Sequence, residues 1–284
     1  MKIRNLFLMF LALAFVASCS SDDDDNISDD NNQGDDPSEI IDFFPADSEN
    51  SWTYFNEMES DTEELQGSST EILNVEEING NTITFNTEVD GEIPGIFTGA
   101  LANGEIEKVE GGLVYSGDMN FINFEGIELD FPFSDMLVFD EGAEEGAELF
   151  TVEGEFSEQI PFGDFGDFDI DVSYTLTVNQ GENLDSYMDF EEVKTSEITI
   201  TDLSVIVHDI PVIGDLELME DTNNTVLTTT NYFANGVGLI KSETDVDIPF
   251  IDLLDMMPIP IDGIPDLQEI NFSLSQDLTE FTVN

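Results

Sequence analysis

From Ile170 to Val178 the chain alternates without a break: Ile170, Val172, Tyr174, Leu176 and Val178 are apolar, while Asp171, Ser173, Thr175 and Thr177 are polar. A period of two sends the apolar side chains to one face of a strand and the polar ones to the other, which calls for a sheet with one buried and one wet face. Glu71–Ile78, Asn79-Gly80 and Asn81–Val89 read as a hairpin, because Asn-Gly suits the tight turn whose twist matches its flanking strands. Ile198 and Ile200 give way to Leu203, Val205 and Val207, a slip in phase that predicts a bulge near Thr201-Asp202. Further strands are predicted at Ile127–Phe133, Leu149–Phe156, Thr225–Phe233, Val237–Ser242, Ile270–Leu274 and Phe281–Val283, with turn signals at Asn103-Gly104, Gly111-Gly112 and Asn235-Gly236. No stretch sustains a 3.6-residue period with caps, and Ile251–Met257 reads as one short helical turn at most. The expected class is all-β: an antiparallel curved sheet, as an open barrel or a sandwich.

One local pattern recurs, an apolar residue before proline. It stands at Ile93-Pro94, Phe131-Pro132-Phe133, Ile160-Pro161-Phe162, Ile210-Pro211-Val212, Ile248-Pro249-Phe250 and Ile259-Pro260-Ile261. Proline cannot donate to a ladder, so these segments are expected where strands end or turn over. They would close the ends of the core as apolar corners, or gather into the lip of an apolar cavity.

The first 18 residues have the parts of a secretory signal: basic Lys2 and Arg4, an uncharged apolar run from Leu6 to Val16, then small Ala17 and Ser18. The apolar run is shorter than the roughly 20 residues a spanning helix needs. Val16-Ala17-Ser18-Cys19 resembles the lipobox of bacterial lipoproteins, which implies cleavage before Cys19 and acyl chains (palmitate among them) on that cysteine. Each buried methylene contributes about 0.8 kcal/mol, so two or more chains anchor stably where one does not. Residues 19–38 then form a disordered acidic tether, with Asp22 to Asp25, Asp29-Asp30 and Asp35-Asp36 set among Asn, Gln, Gly and Pro. Ser20, Ser21, Asp22, Asp23, Asp24 and Asp25 resemble the acidic export signal that sends Bacteroidota lipoproteins to the outer face of the outer membrane. Residues 39–284 remain as a β-rich domain, read as one large unit in preference to two small ones.

The charge excludes whole classes of partner. There are 65 acidic residues against 5 basic ones, a net charge of −60 that becomes −62 once Lys2 and Arg4 are cleaved away. Only Lys108, Lys194 and Lys241 then remain, with no arginine. Nucleic acid needs cations to displace its counterions, and bidentate capture of phosphate or carboxylate needs arginine. Neither is available. Yet 40% of residues are hydrophobic and 23 are Phe, so the chain can fill a core.

Phe43-Phe44-Pro45 and Asn50-Ser51-Trp52-Thr53-Tyr54 resemble the opening of a broad group of Bacteroidota surface lipoproteins. The run Tyr232-Phe233-Ala234-Asn235-Gly236-Val237-Gly238-Leu239-Ile240-Lys241-Ser242-Glu243 is similar to that group's closing hairpin, and Leu278-Thr279-Glu280-Phe281 to its last strand. Members more often carry Gly where Glu49 stands. The resemblance implies an antiparallel sheet curved into an open barrel or sandwich, and carries no catalytic residue across. Trp52 and Tyr54, two apart on one face, are expected in the core.

Little chemistry is legible. The one histidine, His208, has no Gly-x-Ser-x-Gly elbow to complete a triad, and Cys19 is the only cysteine, so zinc lacks its usual ligands. Paired carboxylates for glycoside hydrolysis cannot be picked out among 65 acids. Asp164, Asp167, Asp169 and Asp171 cluster at a glycine-rich turn as a candidate calcium site, outside the EF-hand spacing. No other cofactor is expected. The reading is a non-enzymatic binding or structural module on the outer membrane, partnered with the membrane through lipid on Cys19, its ligand unknown. The alternatives are a carrier or sensor of an acyl chain in a β-lined cavity, and a carboxylate-based glycan hydrolase.

Overall fold

A computed structural model describes residues 42–61, 66–124, 127–161, 167–210, 214–219, 224–249 and 269–283. It contains thirteen strands: β1 Ser51–Ser60, β2 Gly67–Asn79, β3 Thr82–Asp90, β4 Gly104–Val109, β5 Gly112–Phe124, β6 Ile127–Asp140 and β7 Glu148–Pro161 in the first half. β8 Asp167–Tyr187, β9 Phe190–Ile210, β10 Gly214–Met219, β11 Thr225–Ala234, β12 Gly238–Pro249 and β13 Glu269–Thr282 follow. One helix, α1 (Ile96–Asn103), lies between β3 and β4. Every pairing is antiparallel, in the order β6-β5-β4-β3-β2-β1-β13-β12-β11-β9-β8-β7, with β10 added beside β9. The sheet rolls into a nearly closed barrel.

Alternation is what drives the rolling. On β8 the inward Ile170, Val172, Tyr174, Leu176 and Val178 are all buried, as the sequence pattern requires. The β2–β3 turn falls one residue later than the Asn79-Gly80 expected from sequence: Asn79 pairs with Thr82, and Gly80 (φ 68°) and Asn81 make the turn, while Gly236 turns the chain between β11 and β12 at φ 71°. The phase slip in β9 is a bulge at Asp202, whose φ of 54° marks the extra residue opposite β8. The two short C-terminal strands read from the sequence are one continuous strand, β13, because its partner β1 runs beside it from Ser51 to Ser60. Pro132 stands inside β6 instead of at a strand end, which is tolerated because β6 pairs on one side only. Ile93-Pro94 leads out of β3 into α1, and Ile248-Pro249 closes β12. Phe162, Pro211, Val212, Phe250, the Ile259-Pro260-Ile261 segment and the helical turn expected at Ile251–Met257 lie outside the described residues.

The two outermost strands, β6 and β7, meet through side chains. Phe131 of β6 lies 5.4 Å from Phe156 of β7 and 4.9 Å from Tyr174 of β8, ring centre to ring centre and edge-on in both cases. Aromatic pairs of that geometry add about 0.5–1.5 kcal/mol each beyond the area they bury. At the end of the seam, Gln180 of β8 accepts a hydrogen bond from the Asp140 amide of β6 at 3.2 Å. Trp52 and Tyr54 are buried, donating to the carbonyls of Val237 and Leu239 at 2.7 and 2.9 Å and so tying β1 to the start of β12.

Polarity outside is the reverse of a membrane-spanning barrel, which is apolar without and polar within. The outward positions of β12 are Lys241, Glu243, Asp245 and Asp247, and those of β13 include Asn271, Ser273, Ser275 and Asp277. Beyond the bulge at Gln180/Asn183, the end of the β8–β9 hairpin folds onto this outer face. There Tyr187 stacks on Tyr232 at 4.6 Å over a small cluster of Val193, Ala234 and Ile240.

Candidate functional site

The helix occupies the lumen. Phe97 of α1 packs edge-on against Phe233 of β11 at 6.2 Å, and Thr98 touches side chains from β2 and β13. Sequence reasoning missed this element for a physical reason. Its eight residues, Ile-Phe-Thr-Gly-Ala-Leu-Ala-Asn, have no side-chain cap and a glycine in the middle, and only Phe97, Thr98, Ala100 and Leu101 are buried, too short a run to sustain a helical period in the sequence. The Asn103-Gly104 signal is accordingly a helix end running into β4, not a hairpin turn. Gly95, at the N-cap, is required by close approach: a β-carbon there would stand 1.9 Å from the Gln276 amide nitrogen.

What α1 meets is a row of polar side chains pointing inward. The registers pair Gln180 with Ser196, Ser196 with Asn231, Asn231 with Ser242, Ser242 with Gln276, Gln276 with Asn56, and Asn56 with Ser69. These seven residues form one continuous line across β8, β9, β11, β12, β13, β1 and β2, and all are buried. No single-sequence signal could reveal it, since each member sits alone in its strand and the line exists only in the register.

Glu71, two residues beyond Ser69 on the same face, is the centre of the polar region and is fully buried. Its Oε2 accepts from Asn56 Nδ2 at 2.9 Å, the Gly95 amide at 2.8 Å, Thr98 Oγ1 at 2.8 Å and Gln276 Nε2 at 3.1 Å. Gln276 Nε2 also approaches Asn56 Oδ1 at 3.0 Å and Thr98 Oγ1 at 2.7 Å, which fixes the orientation of its amide. The carboxylate thus pins the start of the helix to the wall, where the helix dipole favours negative charge. Burial, and after it the charge of Glu71, raises the Tyr54 phenol well above its ordinary 10.0, so Tyr54 stays a donor. Among the described residues, five buried side-chain atoms lack any hydrogen-bond partner: Glu71 Oε1, Gln276 Oε1, Ser196 Oγ, and Asn231 Oδ1 and Nδ2. All belong to this row or to Glu71 beside it.

A second cluster sits on the outside. His208 of β9 is held between Asp171 of β8 (Nε2 to Oδ2, 2.8 Å) and Asp215 of β10 (Nδ1 to Oδ1, 3.3 Å). Hydrogen bonding to Asp171 is the largest cause of a raised His208 pKa, and Asp171 is lowered, first by Ser157 and then by His208. Ser157 Oγ donates to Asp171 at 2.6 Å, so the carboxylate stands between hydroxyl and imidazole. In a triad the imidazole takes that middle place.

Of the candidate calcium ligands, Asp164 lies outside the described residues. Asp167, Asp169 and Asp171 alternate along the outward edge of β8, side by side instead of converging. Asp169 accepts from Gln159 Nε2 at 2.7 Å, and Asp171 is engaged by Ser157 and His208. Among the described residues no group of three or more His, Cys, Asp or Glu is placed to hold a metal ion. Cys19 and Ser20 to Asp25 also lie outside the described residues.

Two depressions mark the surface. One of about 1040 Å³ crosses five strands at one barrel end, lined by Glu57, Glu59, Asp245 and Asp247 together with apolar Met58, Val226, Leu227, Val246 and Phe272. The other, about 390 Å³, lies between Phe43, Leu184, Val193 and Lys194, whose Nζ sits 5.5 Å over the Phe43 ring. No protein-family model, no curated protein and no solved structure matches this chain.

Proposed function

We propose that this chain is a lipid-anchored protein of the outer-membrane surface, joined through Cys19 and an acidic tether to a barrel that acts as a non-enzymatic binding or structural module. One observation carries the module reading. The lumen is occupied by α1 and by buried aromatic side chains, so the described residues offer their partner an outer surface and not an interior. An apolar cavity walled by the isoleucine-proline segments, part of which lie outside the described residues, would instead favour the carrier reading. The outer surface is dense in carboxylates and poor in cations, which favours cationic or cation-bridged partners.

The anchoring half is tested by Cys19→Ala. Labelled fatty acid should appear on the wild-type chain and not on the variant, and added protease should digest the wild-type domain on intact cells. Equal labelling of both chains removes the anchor from the reading; full protection of the wild-type domain removes surface display.

A further inference from the structure

We propose that the barrel lumen holds one small monovalent metal cation, sodium in ordinary surroundings, on the free carboxylate oxygen Glu71 Oε1, whose other oxygen accepts from Gln276 Nε2 at 3.1 Å. The argument begins from charge. Burying a carboxylate without a cationic partner is costly, and Glu71 is wholly buried. The described residues contain only four basic side chains, and each is engaged elsewhere. Lys108 pairs with Asp42, Lys241 with Glu243 and Asp277, and His208 with Asp171 and Asp215. Lys194 donates to the Glu141 carbonyl and rests over Phe43. The side chains that touch Glu71 are all neutral.

The partnerless atoms select the class of ligand. Glu71 Oε2 is saturated with donors, whereas Glu71 Oε1 and Gln276 Oε1 are acceptors with nothing to accept. Oxygen acceptors without donors suit a hard cation. A single buried carboxylate among neutral groups balances one positive charge, whereas a divalent ion would leave a surplus in the same low-dielectric setting. Metal–oxygen distances of about 2.0–2.6 Å are also shorter than the roughly 2.7–3.0 Å of a water hydrogen bond, so a bare ion suits closed packing better than water does.

The experiment is urea unfolding of the full chain with sodium chloride exchanged for tetramethylammonium chloride at fixed ionic strength. That holds constant the screening from which any highly acidic chain gains. One ion bound only by the folded state makes the folding constant rise tenfold for each tenfold of sodium above its dissociation constant. Wild type and a D167N/D169N/D171N variant should both show this slope of one, and E71Q should lose it. Equal stability in the two salts overturns the proposal, as does a slope that survives in E71Q. Should E71Q fail to fold, sodium-23 NMR of the wild-type chain decides. Saturable broadening that potassium competes away only weakly supports the site, and broadening that never saturates assigns sodium to the diffuse ion atmosphere.

Discussion

The two walls of the barrel bury different things. Along β3 to β7 the inward positions are Ile83, Phe85, Ile106, Leu113, Tyr115, Met119, Phe121, Leu129, Phe131, Phe133, Met136 and Val138, and none of the buried Asn, Gln, Ser, Thr or Glu side chains falls there. Across β8 to β2 the same inward face is interrupted by the row from Gln180 to Ser69. The apolar wall closes a seam that has no ladder among the described residues, through the edge-on rings of Phe131, Phe156 and Tyr174. The polar wall fixes one geometry for α1, because donors and acceptors accept only a few arrangements. Both walls bury apolar side chains, and the polar one adds the position of the helix.

The largest expected effect lies on the apolar wall. Phe131→Ala removes a fully buried ring packed on Phe121, Phe156 and Tyr174 across the seam, and should cost about 3–5 kcal/mol in chemical denaturation. A loss under about 1 kcal/mol would mean that the seam is held by something other than these rings.

Asn231→Leu inverts the expectation on the polar wall. Both polar atoms of Asn231 are buried without partners, so a side chain of similar shape and no polarity should stabilise by about 1–3 kcal/mol. Destabilisation of that size would show that the Asn231 amide has a partner, ordered water being the simplest.

The smallest effect belongs to His208, outside both walls, and is read as pH dependence alone. Its pKa is raised above the ordinary 6.5 by Asp171 and Asp215, so its contribution is complete below 6.5 and fades as pH rises through the higher folded value. Asp171 is lowered from 3.8, so its contribution is complete above 3.8 and fades as pH falls through the lower folded value. The gap in melting temperature between wild type and His208→Gln should therefore be widest between those two ordinary values and close toward alkaline pH. A gap that does not vary with pH would leave packing, not charge, as the role of the imidazole.

The contrast between walls also marks how much was legible in sequence. Alternation at Ile170–Val178 and the phase slip at Asp202 are local and appear in the structure where the pattern set them, and the β2–β3 turn falls one residue beyond the expected Asn79-Gly80, at Gly80-Asn81. Trp52 and Tyr54 were readable as core for the same reason. The polar row was not, because Asn56, Ser69, Asn231, Ser242 and Gln276 each look like ordinary exceptions until four registers align them. Helix α1 escaped because eight residues with a central glycine and no side-chain cap are too few to show a sustained helical period.

The pairing of β1 with β13 has a consequence in time. Ser51 lies against Thr282 and Ser60 against Phe272, so strands from opposite ends of the chain are neighbours near the middle of the sheet order. Gln276, which helps to pin the lumenal helix, belongs to the last strand. Synthesis runs from the N-terminus, so β1 waits for more than 200 residues before its outer partner exists. Neither the sheet nor the helix anchorage can be completed on the ribosome before the final strand emerges. Until that strand is made, β1 has only β2 beside it and α1 lacks the Gln276 side chain that holds Thr98.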